Sequence, residues 1–112
     1  MTRITAIVRP HKLEQVKAAV ADLGISGMSV SEVRGRGNSP EAPVLFGNRE
    51  VQIVLSLKAR LMIVVPDDLV ETIVEAFLAN AATGESGDGK VFLEPVADAL
   101  RIRTEERGDS AI

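Results

Sequence analysis

The stretch "ARLMIVVPDDLVETIVEAFLANAATG", residues 59–84, holds one full turn of a repeating strand–helix pattern. Apart from Arg60, residues 59–65 are apolar and rich in branched side chains, and they end at Pro66, which cannot donate to a strand ladder. Asp67 and Asp68 follow. As a neighbouring pair they could hold a metal ion, but acids are favoured at helix N-termini, and a capping role is the preferred expectation. Val70, Ile73, Val74, Phe77, Leu78 and Ala81 then recur at helical spacing. Past Gly84 a Gly-rich turn leads into "KVFLEPV", residues 90–96, a closing strand.

The same cycle stands earlier in the chain. "RITAIVR", residues 3–9, reads as a strand stopped by Pro10. In "HKLEQVKAAVADLG", Leu13, Val16, Val20 and Leu23 form a helical stripe, and Gly24 supplies the stop. "MSVSEVRGRG" alternates as a second strand, with Met28, Val30 and Glu32 on one side and Ser29, Ser31 and Val33 on the other. Two strand–helix–strand halves predict an α+β chain, a ferredoxin-like double βαβ sandwich with both helices on one face of the sheet. The 112 residues fit one domain, 1–112. The strands are apolar on both sides: Ile4, Ala6 and Val8 beside Ile7, and Leu61, Ile63 and Val65 beside Met62 and Val64. A monomer would leave the second face as an apolar patch, so an oligomer is expected. Between the halves, residues 37–58 open with Pro40 and Pro43 and then alternate Val51, Ile53, Leu55 and Leu57 with Glu50, Gln52, Val54 and Ser56. That pattern predicts a long functional connection carrying an extended hairpin arm.

Composition removes several chemistries. With no Cys and one His, disulfides, thiolate metal sites and cysteine nucleophiles are excluded, and a protein-built transition-metal site is disfavoured. No segment approaches the ~20 apolar residues of a membrane span, which predicts a soluble cytoplasmic chain without direct membrane insertion. A net charge of -3, three Phe and no Trp or Tyr argue against nucleic-acid binding. "RGRG", residues 34–37, is therefore expected to neutralise a small anion. His11 precedes a helix with no phosphate-binding partners near it in sequence, and is expected to be a solvated helix-start residue rather than a phospho-acceptor.

"TGESGDGKVF", residues 83–92, matches the G-x-x-x-x-G-K part of a P-loop, with Val91 where a magnesium-binding hydroxyl belongs. A P-loop runs from strand to helix; here a helix precedes the turn and points its negative end at it. Positive potential must come from elsewhere. Gly84, Gly87 and Gly89 would let the backbone curl into a nest of N–H groups, and Lys90 adds a charge. Arg101 and Arg103 of "RIR" add two forks that would face the same way in extended backbone. A plain turn and a solvated edge remain the competing expectation.

"ITAIVRP", "EVRGRG", "TGESGDGKVF" and "RIRTEERGDSAI" resemble the PII signal-transduction proteins, essentially without gaps from Arg3 to Ile112. The resemblance implies a compact homotrimer that binds ATP, ADP or AMP in three clefts between subunits, with no tightly bound cofactor and no catalysis. It places Ser29 and backbone at Val64 at the adenine end. Gly35, Arg36, Gly37 and Asn38 fall along the ribose and loop base, with Gly87, Asp88, Gly89 and Lys90 on the phosphates. Arg101 and Arg103 would complete the site from across the interface. Residues 37–58 would be the family's T-loop, which docks a regulated enzyme or transporter; 83–90 would be its B-loop and 101–112 its C-terminal loop.

The departures lie in the T-loop. Relatives that sense 2-oxoglutarate have glutamine at the position of Ser39, too short here to hold the keto acid and Mg-ATP together, although Lys58 and Glu50 are kept. The tyrosine that many relatives uridylylate is Val51. The resemblance thus implies intact nucleotide sensing in nitrogen or carbon metabolism, with standard 2-oxoglutarate sensing lost or altered and magnesium left to other ligands. The cations Arg34, Arg36 and Lys58 would also suit a small anion such as bicarbonate. A small ferredoxin-fold phosphotransfer enzyme is a distant alternative, because no nucleophile–base pair is visible.

Overall fold

A computed structural model describes residues 1–38, 41–51 and 55–112. Strand β1 (Thr2–Val8) leads through a 3-10 turn to helix α1 (Leu13–Asp22) and strand β2 (Ser29–Gly35). A hairpin follows, β3 (Val44–Phe46) and β4 (Arg49–Val51), and then the second half: β5 (Ser56–Val65), α2 (Val70–Ala81) and β6 (Gly89–Pro95). The main sheet runs β2-β5-β1-β6, every neighbour antiparallel. Each helix crosses over one intervening strand, which is the ferredoxin-like double βαβ arrangement expected from the repeated pattern. Among the described residues no helix is long and apolar enough to cross a membrane.

Strand period puts one set of residues under the helices. Ile4, Ala6 and Val8 of β1 lie beside Ile63, Leu61 and Ala59 of β5, all buried. Val16 and Val20 of α1 and Ile73 and Phe77 of α2 cover them. The helical stripes are narrower than their spacing suggested: Leu23 and Leu78 are exposed. Leu23 is the C-cap, and beyond it the Gly24 amide bonds to Ala21 O and the Ile25 amide to Val20 O. That is a Schellman stop, and Gly24 takes its left-handed position at φ 85°.

The open face of the sheet differs from the expected apolar patch. Thr5, flanked by Met62 and Phe92 on adjacent strands, forms an apolar row, but Arg60 and Lys90 flank Ile7 in the next. Charge and hydrophobe alternate across it.

Neither acid of the second helix start makes a side-chain cap. Asp67 instead accepts from Thr2 Oγ1 at 2.6 Å and pairs with the amino group of Met1 at 3.2 Å, tying the start of β1 to the end of β5. A long-range partner has outcompeted the local amides.

The expected arm is present in part. Gly47, φ 64°, takes the first central position of the two-residue turn joining β3 to β4. Leu45 and Phe46 are 71% and 65% exposed, so the hairpin stands off the body. The radius of gyration, 16.4 Å, exceeds the ~13 Å of a compact chain this long. The alternation through Gln52, Ile53 and Val54 lies outside the described residues.

Phe77 is fully buried between α2 and the sheet. Phe77→Ala should lower stability by about 3–5 kcal/mol, read as a lower denaturant midpoint with an unchanged slope.

Candidate anion-binding cleft

Register assembles the site. Ile7 lies opposite Arg60 of β5 on one side and Lys90 of β6 on the other. Opposed residues share a face, and strands are ~4.8 Å apart, so the two cations stand ~10 Å from one another. Two residues back along β5, Lys58 occupies the same face opposite Val33. From there β2 runs out through Arg34, Gly35, Arg36 and Gly37. These residues line a cleft of about 370 Å³, closed by Gly87 and Gly89 of the preceding turn and by Phe92. Among the described residues none of Arg34, Arg36, Arg60 and Lys90 makes an ion pair. The cleft carries unneutralised positive charge over apolar walls.

Lys58 is the exception. It is buried, donates to Gly87 O at 2.7 Å, and pairs with Glu41 Oε1 at 2.8 Å. Ser56 Oγ donates to the same carboxylate oxygen at 2.9 Å.

Part of the Gly-rich turn is held by a side chain of its own. Asp88 points inward: it accepts from the Thr83 hydroxyl, from the Thr83 amide at 2.7 Å and from the Gly84 amide at 2.9 Å. Arg9 Nε donates to it at 3.0 Å and Arg9 Nη2 to Ser86 O at 2.7 Å. The amides of Thr83 and Gly84 are thus turned towards Asp88 rather than outwards. Gly89 has a separate role, because a Cβ there would lie 1.6 Å from Ile7 O. Only a residue without a side chain lets β6 start against β1 at this φ of 108°.

"RIR" is not extended either. The Arg101 amide bonds to Glu106 O at 2.9 Å and the Glu105 amide to Arg101 O at 2.8 Å, closing a tight turn in which Glu105 takes φ 60°. Arg101 pairs with Glu106 at 3.2 Å and donates to Ser110 O, while Arg103 sits in the exposed turn.

Of the residues singled out in the sequence, Gly35, Arg36, Gly37, Lys58, Gly87, Gly89 and Lys90 meet in this cleft. Asp88 braces its edge, and Asn38 is exposed just beyond it. Ser39 lies outside the described residues. The remaining four are elsewhere. Ser29 opens β2 opposite Met62, and Val64 lies further along β5. Ser29 is six residues from Gly35, a span of ~20 Å in a strand. Arg101 and Arg103 follow β6, which ends opposite Thr2 rather than Val8. Ser29 thus stands at the opposite end of β2 from Gly35 and the cleft.

The sequence pattern missed Ile7, Arg60, Phe92 and Glu41. The first three share one face in the observed pairing and become legible once the strand register is known. Glu41, between two prolines, has no periodic signal.

The family model "Nitrogen regulatory protein P-II" matches residues 1–106. The chain belongs to the P-II family. That is a family of regulatory proteins and not of enzymes. The chain is 44% identical to "Nitrogen regulatory protein P-II 1" of Escherichia coli strain K12 over 112 residues, the whole of both chains. It is 43% identical to "Nitrogen regulatory protein P-II" of Klebsiella oxytoca and 42% to that of Haemophilus influenzae, again over full length.

In this P-II chain, hydrogen bonds from Thr83, then Arg9 and Gly84, hold the Asp88 carboxyl far below its ordinary value of 3.8. A depressed carboxyl contributes stability that is complete above the unfolded value and lost only as pH falls through the folded one. The Thr83 and Gly84 amides should therefore stay protected from exchange at pH 3.5. In Asp88→Ala they should exchange at open-loop rates already at pH 7, as amide NMR will show.

Proposed function

We propose that the cleft binds an adenine nucleotide, ADP or ATP and also AMP, and that residues 37–58 act as a T-loop that docks a regulated protein according to the nucleotide bound. The observation that carries this is the set of four cations, without carboxylate partners among the described residues, that line a cleft walled by Ile7 and Phe92. A phosphate-bearing ligand with a flat apolar ring matches both features: its phosphates meet the cationic side chains and its ring meets the apolar wall.

The split of the expected residues supports a homotrimer. The cleft end of one subunit lacks Ser29, Val64, Arg101 and Arg103, and the far end of a neighbour supplies them if the subunits close head to tail in a ring. The exposed Phe92 and half-buried Met62 on the open face would be covered in the same step. Light scattering at low micromolar concentration should give about three times the 12.0 kDa subunit mass; a stable monomer would remove the shared site altogether.

Arg103→Ala should weaken ADP about ten- to a hundred-fold by calorimetry, the worth of one charge-assisted hydrogen bond. Lys90→Ala should weaken it similarly. Unchanged ADP affinity in both variants would mean the phosphates lie elsewhere.

Lys58, already engaged by Glu41, supports the expectation that 2-oxoglutarate is not the effector in the standard way. Titration with 2-oxoglutarate should show no micromolar binding, with or without Mg-ATP.

A further inference from the structure

Among the described residues that line the cleft, one is an acid. Glu41 belongs to the connection between β2 and β5, yet its side chain is directed back onto the body of the subunit. Its carboxylate bonds to Lys58 and Ser56, both among the first three residues of β5. Lys58 in turn holds Gly87 O, so one short chain of contacts joins the long loop, the sheet and the Gly-rich turn. Gly87 makes room for it: a Cβ there would lie 2.6 Å from Glu41 Cδ. The pair is well sheltered, with side chains only 6% and 22% exposed. Four further cations stand around the same space, Arg34, Arg36, Arg60 and Lys90.

We propose that Glu41 is a tethered anion that latches the loop across the cleft, and that a phosphate-bearing ligand entering the cleft displaces it and releases the loop. Two physical reasons support the competition. A phosphate held by these cations brings negative charge close to the Glu41 carboxylate, and at such range in a sheltered site like charges repel strongly. The ligand also offers Lys58 a second anionic partner, so the ion pair can exchange without leaving a buried ammonium unpaired, the costly alternative. Residues 42–51, which include the exposed Leu45 and Phe46 of the hairpin, follow Glu41 directly in the chain. Holding or freeing Glu41 therefore sets the freedom of the apolar arm. The carboxyl of Glu41 is lowered from its ordinary value, chiefly by the Lys58 hydrogen bond, so the latch is charged at neutral pH.

The trigger rests on the nucleotide reading of the cleft, whereas the latch itself does not. Amide hydrogen exchange of residues 42–51 and ADP calorimetry on the full-length protein, Glu41→Gln and Glu41→Ala separate the two. Without ligand, exchange in the segment should be about tenfold faster in Glu41→Gln, the equivalent of one charge-assisted contact, and no slower in Glu41→Ala. ADP should bind both variants about tenfold more tightly than the natural sequence, since coupling between sites is reciprocal. ADP should also speed exchange in the natural sequence and leave the variants unchanged. Equal exchange in all three unliganded proteins overturns the latch, whatever ADP does. Equal ADP affinity in all three overturns the displacement. If ADP binds none of them, the nucleotide reading and the displacement both fall, even where the variants exchange faster.

Discussion

Ile7 stands between Arg60 and Lys90, and that cross-strand row depends on how closely β6 can approach β1. The approach is possible because Gly89 presents no side chain to the Ile7 carbonyl. A register slip of one residue would carry Lys90 to the helix side and Val91 to the cleft, since successive strand residues face opposite ways. The position of the cationic cleft, the start of the Gly-rich turn and the packing of Val91 against the core are all consequences of one backbone contact.

Around that row, charge is allotted unevenly. Arg9, Arg101 and Lys58 each have a carboxylate partner, in Asp88, Glu106 and Glu41 respectively. Arg34, Arg36, Arg60 and Lys90 have none among the described residues. The paired cations hold loops in place, and the unpaired ones belong to the lining of the cleft. Asp88 shows the difference plainly. Its carboxylate would repel a phosphate if it faced the cleft, but with two amides, a hydroxyl and a guanidinium around it, it instead shapes the turn that borders the cleft.

The sheet also explains why this P-II chain needs copies of itself for the function proposed. Its strands are too long for Ser29 and Gly35, at opposite ends of β2, to touch one small ligand. In the head-to-tail ring proposed above, that separation would become an advantage, because each ligand would then report on the contact between two subunits. The hairpin arm follows β2 out of the cleft end, and in the proposed assembly it would carry that report outward.

The alternation of branched residues and the helical stripes were enough to determine both βαβ halves, because those periods are local and each defines its own buried face. Gly24 as a helix stop was equally local, since it answers to its own backbone angle. The absence of tyrosine, and Val51 in the arm, are facts of the sequence that no fold can alter. Only the tertiary structure decided that Asp67 serves the N-terminus instead of its helix and that Asp88 faces inward. It likewise decided that "RIR" closes a turn and that Glu41 reaches Lys58. Each of these is a choice among competing partners far apart in the chain. An acid or an arginine carries no period to announce its partner, and the outcome depends on which groups the sheet register brings within a few ångströms.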